Sequence, residues 1–474
     1  MGYRHGVFSS ETQTSVVPPL TATANITVIV GIAAINQTDE TNVNKIQRLQ
    51  TIAEAENYFG KSANSDYTIN QAIDAFFKYY SIAPLYVVNV LDPAVHKVAA
   101  APESLSFVNN QAILATSGAI KSSVVVKVGA VTKTLNVDYS LSFNSNEKLV
   151  VSRINSGTIL STDVIAVTYD VLDYSLVTSA DIIGGVSGSD YSGLELVDRI
   201  APKFNEVIGQ IICPIYCKDN AVAAVMTAKA KTLTTKFKAM SVLDLDTTTM
   251  TTYSDAPSVK ALNSWTDKHQ LVCVGDLKLS GVKQHFSIHL AALNQLQAKL
   301  TKNKPVNSPS NKNLVADGFE INGVEITLDD SQAEYVNSQG MIIAINDASG
   351  WLCWGNRTAA FPSNTDIKDC DIAVRQMFNW VENTYLMYMK RYIDAPIKRR
   401  NVQTATDSFQ LFLNSLCGEE ALLSGRIEFR KDMNPSIDLL AGILKHKIMI
   451  APSPTGTEIA GDFEYDVNGL NNIF

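Results

Sequence analysis

His285 and His289 stand four residues apart, a spacing that puts two imidazoles on one helix face, where they could grip a metal ion. No Glu-flanked zinc pattern accompanies them, so packing is the simpler role. Cys213 and Cys217 have CxxxC spacing without a second pair to complete a zinc site. Gly60-Lys61-Ser62 ends like a phosphate-binding loop, but the first glycine of such a loop would fall at Ala55, and Phe59-Gly60 suits a helix terminus better. Gly184-Gly185-Val186-Ser187-Gly188 misses the nucleophile-elbow pattern because position 189 is Ser, which leaves a turn. Asn25, Asn36 and Asn356 fit the glycosylation triplet with no secretory segment ahead of them. No nucleophile, base and oxyanion site assemble. The residues point to no enzyme, no metal and no cofactor.

Charge patterning says more. Lys390, Arg391, Lys398, Arg399 and Arg400 form a local basic cluster with only Asp394 against it. Glu458, Asp462, Glu464 and Asp466 make the last stretch acidic. Either is read most simply as a solvated surface; the sharper reading is electrostatic complementarity between copies or with a partner. The net charge of −8 argues against general nucleic-acid binding. Six scattered cysteines, most in apolar runs, read as reduced buried thiols. No apolar run approaches the roughly 18 residues of a membrane span, so assembly in a cytoplasm without membrane insertion is expected.

The elements that position these groups alternate. Residues 26–32 form a nearly continuous apolar run, suited to a strand buried on both faces. Thr51 opens a helix that Gly60 can end, Thr68 opens a second, and residues 85–90 return as a strand. Strands at 207–212, 239–245, 271–274 and 341–345 alternate with helices at 194–200, 220–231, 257–269 and 290–300, the pattern of a mostly parallel sheet. Asn322-Gly323 marks a hairpin. Residues 93–180 differ in texture, with short alternating runs at 124–128, 134–139 and 149–154, and read as a small all-β insertion. A long helix at 367–392, with Val374, Phe378, Val381, Tyr385, Tyr388 and Tyr392 as its stripe, precedes a helix at 407–423 and strands at 426–430 and 445–450. The fold class is α/β and α+β, multidomain.

Both ends read as strands on tethers. Tyr3, Val7 and Phe8 lead a short extended segment before the Pro18-Pro19 linker. Phe463, Tyr465 and Val467 alternate with three carboxylates, and Leu470, Ile473 and Phe474 follow. The implied organisation is an arm at 1–20, a core at 21–92 and 181–355, an insertion at 93–180, a C-terminal α+β assembly domain at 356–454 and a second arm at 455–474.

Three groups of residues carry a family resemblance. They are the arm motif Gly2-Tyr3 with Gly6-Val7, the segment Trp354-Gly355-Asn356-Arg357-Thr358, and the closing region from Gly442-Ile443-Leu444-Lys445 to Tyr465. With the order of elements between them, the sequence resembles contractile phage tail sheath proteins over most of its length. The resemblance implies stacked six-subunit rings polymerised around an inner tail tube, contracting to drive the tube through a cell envelope. Neighbouring copies would exchange their terminal strands, and baseplate and tail terminator proteins would be further partners. It implies a place in a virion tail assembled in the bacterial host cytoplasm. The sheath of a phage-tail-like bacteriocin or other contractile injection system shares these features. From other classes, a soluble α/β enzyme and an adhesin built on residues 93–180 stay open.

Overall fold

A computed structural model of the chain describes residues 21–466 and 468. Thr27–Gly31 (β1) is buried at every residue, so both of its faces are covered, and it lies inside a six-stranded sheet. The other strands are Ile46–Leu49 (β2), Leu85–Asn89 (β3), Gln210–Ile212 (β4), Met240–Asp244 (β5) and Gln270–Cys273 (β6), in spatial order β6-β5-β4-β1-β3-β2. All neighbours pair in parallel except the edge strand β2, which runs antiparallel to β3. The mostly parallel α/β core is as expected. The sequence reading assigned no strand to β2.

Helices follow the strands, as βαβ connections require. Ile52–Phe59 (α1) begins at Thr51, whose hydroxyl accepts from Glu54 N (3.2 Å), and ends at Gly60 with φ 65°. A side chain at Gly60 would come within 2.8 Å of Ala34 O, so glycine is needed there. Gly60-Lys61-Ser62 therefore closes a helix, whereas a phosphate loop opens one. Thr68–Ile73 (α2) runs into a π-helical turn, and Asn220–Lys231 (α3) is the helix expected. Phe286–Leu300 (α4) starts four residues before the expected 290, because Ser287 N and Oγ both bond the Asp244 carboxylate at the end of β5 (2.8 and 2.5 Å).

The insertion has three sheets, of three, four and two strands, and its own apolar core, with Leu114, Val126, Leu149, Val151, Ile165 and Val167 among its buried residues. It is fastened to the α/β core by Glu147, which accepts from Ser62 Oγ and Ala63 N (both 2.9 Å), and by Asn36, which donates to Ala119 O (3.1 Å). Residues 134–139 are not the strand expected. Asp138 gathers Thr134 N and Thr158 N into a turn, with Asn136 at φ 63°.

Other expectations are corrected by single tertiary contacts. The helix at 257–269 is Ala256–Leu262, since Ser264 turns to φ 55° and Trp265 buries its ring while donating to Asn220 (3.1 Å). Residues 193–199 form a 3-10 helix before Ile200–Phe204. Asn322 and Gly323, at φ 51° and 75°, make the hairpin turn as read. The long helix is broken at Asp371, which is extended and caps Ile372–Met389 (α5) by accepting from Val374 N (3.0 Å). The second helix is Arg399–Gly418 (α6), eight residues earlier than expected, and Glu420 at φ 58° turns the chain out of it. The last strands are Leu422–Glu428 (β7) and Lys447–Pro452 (β8). Residues 462–466 form no strand with any described residue. No described helix is long and apolar enough to cross a membrane.

Candidate assembly interface

Residues 372–452 form an antiparallel hairpin laid on two helices. β7 and β8 pair with Gly425 opposite Ile450, Arg426 opposite Met449 and Ile427 opposite Ile448. Beneath them Met377, Trp380, Val381 and Tyr388 of α5 pack with Phe409, Phe412, Leu413 and Leu416 of α6. Phe409 sits within 5.4–5.7 Å, centroid to centroid, of Tyr385, Tyr388 and Phe412. Glycine at 425 lets strand and helix approach closely, since a Cβ there would lie 3.0 Å from Leu413 Cβ. At the start of β8, His446 bridges Tyr385 OH (3.0 Å) and Thr406 Oγ1 (3.1 Å), tying strand to both helices.

Both chain ends are rooted on α5. On the N-terminal side, Ala22 N donates to Thr384 Oγ1 (3.1 Å) and Ala22 O accepts from Trp380 Nε1 (2.8 Å). Ala24 N donates to Asn303 Oδ1 (2.9 Å). On the C-terminal side, Thr455 Oγ1 accepts from Asn356 Nδ2 (2.6 Å) and donates to the buried Asp371 carboxyl (2.5 Å). Thr384 lies thirteen residue steps along from Asp371, about 20 Å at 1.5 Å rise per residue. Beyond Thr455 the chain leaves the body: Ile459, Phe463 and Tyr465 are 98%, 97% and 72% exposed. Tyr3, Val7, Phe8, Val467, Leu470 and Phe474, expected to be exchanged between copies, lie outside the described residues.

The five-residue motif converges on the second root. Trp354 ends the strand Gly350–Trp354, and Gly355, at φ 134°, passes so close to Asn337 that a Cβ would sit 2.5 Å from its Oδ1. Asn356 holds Thr455, Arg357 lies over the Phe361 ring (5.4 Å), and Thr358 Oγ1 donates to Asp369 O (2.6 Å). The sequence signalled the motif but not the latch it forms, because Thr455 is 99 residues from Asn356.

Lys390, Arg391, Lys398, Arg399 and Arg400 are all exposed, between the end of α5 and the first turn of α6. Arg391 stacks on Tyr388 (3.9 Å). Among the described residues none of the five joins an ion pair. Lys398, Arg399 and Arg400 also crowd a helix N-terminus, whose dipole disfavours positive charge.

The residues that could do chemistry are engaged internally, except that His285 Nε2 is buried with no hydrogen-bond partner among the described residues. His285 precedes α4 rather than sharing its face with His289, and contacts Asp276 (3.3 Å). Burial would raise the Asp276 carboxyl, but His285, Lys218 and Lys283 hold it well below the usual range. His289 contacts Tyr80 OH (3.2 Å), and burial lowers its imidazole to about 3. Burial pushes the Cys213 and Cys217 thiols up, and residues 186–191 form a small hairpin.

Comparison with known proteins places this architecture. No family model matches the chain. The tail sheath protein of Burkholderia phage BcepMu is 28% identical over 497 residues, covering 99% of each chain. The sheath complex of an extracellular contractile injection system, PVC, in its contracted state shares the fold at 14% identity, with a TM-score of 0.59 over 99% of each chain. The contracted helical sheath of the anti-feeding prophage matches at 13% identity and a TM-score of 0.58, over 98% of this chain and 100% of that one. Along its whole length the chain is similar in sequence to one phage tail sheath protein and in fold to the sheaths of two contractile systems.

Proposed function

We propose that this chain is the structural subunit of a contractile tail sheath, polymerising as stacked hexameric rings around an inner tube and contracting to drive that tube through a target envelope. It is a structural protein and not an enzyme. The observation that carries the reading is the pair of arm roots. Ala22 and Thr455 are held on α5 and on its cap residue Asp371, close to a two-stranded sheet that could accept further strands at its edge. Strands supplied by neighbours would complete it by β-augmentation, with backbone bonds giving affinity and side-chain pockets giving register. Tyr3, Val7 and Phe8 of one arm and Phe463, Tyr465, Val467, Leu470 and Phe474 of the other are the residues we assign to exchange. A head-to-tail contact of this kind does not close and builds a filament.

Lys390, Arg391, Lys398, Arg399 and Arg400 face the inner tube or a neighbouring copy in this reading. Baseplate and tail terminator proteins are its further partners, and the virion tail, assembled in the host cytoplasm, is its location. The sheath of a bacteriocin or injection system is the second reading, favoured by the fold shared with the PVC and anti-feeding prophage sheaths. A capsid gene beside this one separates the two.

Removing residues 458–474 tests the reading. The truncated chain should remain a folded, soluble subunit and form no tubes in negative-stain electron microscopy. Normal tubes from it would end the strand-exchange reading.

A further inference from the structure

Residues 22–25 enter the body along α5 and run against its direction. Asn25 Nδ2 donates to Gln376 Oε1 (3.1 Å), and three residues earlier Ala22 is held by Trp380 and Thr384. Three residues of extended chain, about 10 Å, thus cover eight residues of helix, about 12 Å. Gln376, Trp380, Thr384 and Met387 follow one another at steps of four, four and three, which keeps them on one helix face. Continued along that face, the path meets Met387 and then Lys390, within reach of residues 19–21.

A groove of about 360 Å³ opens there. Leu386, Met387 and Lys390 of α5 form one wall, and Pro202, Val207 and Phe237 of the core form the other. The entering chain already touches it, because Thr23 Oγ1 donates to Val207 O (2.7 Å). The walls are tied together beside Phe237, where Asn383 of α5 accepts from Lys238 N and donates to Lys238 O (both 2.8 Å). Leu386 and Met387 are only half-buried.

The sequence just ahead of Ala22 fits this groove. Val16-Val17-Pro18-Pro19-Leu20 is the longest apolar run of the first twenty residues and carries no charge. A buried backbone N–H needs a partner, and the two prolines have none to satisfy. They also preset an extended conformation, so little freedom is lost on docking.

We propose that residues 16–20 of the same chain lie in this groove, with Leu20 against Leu386 and Met387 and the two prolines passing toward Lys390. The seat is the true starting point of the N-terminal tether. From Ala22 back to Phe8 is fourteen residue steps, at most about 50 Å, but from Val16 it is eight, at most about 29 Å. A copy receiving the arm must then lie within that shorter distance of the Lys390 end of α5. This reach rests on the strand-exchange reading above; the seat does not.

Cysteine pairs in dilute full-length subunits test it. All chains carry Cys417→Ser, since the other five cysteines are buried. Lys302 is exposed and adjoins Asn303, which bonds Ala24 N, so a free tether would reach it as readily as Lys390. A Val17→Cys/Lys390→Cys chain should close its disulfide at least tenfold faster than a Val17→Cys/Lys302→Cys chain. Pro18→Ser with Pro19→Ser leaves the folded body alone and should cut that ratio severalfold. Equal rates for the two pairs overturn the seat. A ratio unmoved by the serines overturns it as well, because the groove is then not holding the prolines. A Phe463→Cys/Lys390→Cys chain that closes as fast gives the groove to the other arm. Dimers from a mixture of Val17→Cys and Lys390→Cys chains, in place of closure within one chain, give it to a second copy. Either result overturns the proposal. Chains that show no preference yet form normal tubes overturn the seat and leave strand exchange standing. Normal tubes after removal of residues 2–8 would end exchange of that arm and leave the seat.

Discussion

The six-stranded sheet of the core and the two-stranded sheet of the C-terminal domain are made of similar strands and finished differently. β1, β3 and β5 are buried at every residue, so helices and loops cover both faces within one chain. β7 and β8 have one covered face, one exposed face and a vacant edge. An exposed strand edge is a template for pairing with another chain, a hazard that most folds blunt. Here the β7 edge is blunted by Gln410, whose amide bonds Gly425 O and Ile427 N, and the β8 edge has no hydrogen-bond partner among the described residues. The contrast separates two tasks. In the proposed function the core makes the subunit stable, and the hairpin joins it to others.

If that division is real, the two regions should fail separately. Phe409 is fully buried at the centre of the aromatic cluster under the hairpin. Phe409→Ala should cost about 3–5 kcal/mol, the usual range for emptying such a site. Hydrogen exchange should show the loss confined to residues 372–452, with β1, β3 and β5 protected as before. A uniform loss across both sheets would show one cooperative unit and break the comparison.

A smaller effect, tied to pH, belongs to the core. Burial lowers the His289 imidazole from 6.5 to about 3, so between those values the unfolded chain binds a proton that the folded chain refuses. Stability therefore falls as pH falls through this window. At pH 5 the cost is about 2 kcal/mol, from roughly 1.5 pH units at 1.36 kcal/mol each. Asp276, held low by His285 and lysines despite its burial, adds to the loss only below its ordinary value of 3.8. Urea midpoints at pH 7 and pH 5 check this, and His289→Gln should flatten most of the difference. His446 under the hairpin is lowered by burial as well, with the same sign, but it is only half-buried and its share should be smaller.

The parts of this architecture that were legible in the sequence are those written by local pattern. The apolar runs of β1 and β3, the Asn322-Gly323 turn and the texture of the insertion needed no partner to be read. β2 was missed because Ile46-Gln47-Arg48-Leu49 is half polar, and Arg48 is satisfied by Glu206, 158 residues away. The early turns of α6 were missed because residues 399–406 offer only Val402 and Ala405 as an apolar face. The basic cluster and the alternating acidic segment were visible as patterns, but the unequal edges of the hairpin were not. They depend on one amide, Gln410, reaching a strand 15–17 residues further along.

The smallest effect concerns the C-terminal root, where the comparison meets in one residue. Asp371 serves the helix through one oxygen, capping Val374 N, and the arm through the other, accepting from Thr455. Thr455→Val keeps the shape of the side chain, removes that donor and leaves Asn356 without its acceptor. The net loss should be about 1 kcal/mol, as for an ordinary hydrogen bond. Because 1.4 kcal/mol is a factor of ten, the segment just past β8 should open several-fold more often. Limited proteolysis between positions 453 and 458 should quicken by that factor while thermal stability hardly moves. Thr455→Ser keeps the hydroxyl and should cut like the parent. Equal rates for all three would mean that the arm is aimed by Pro452 and Pro454 alone, and that the latch on α5 does not direct it.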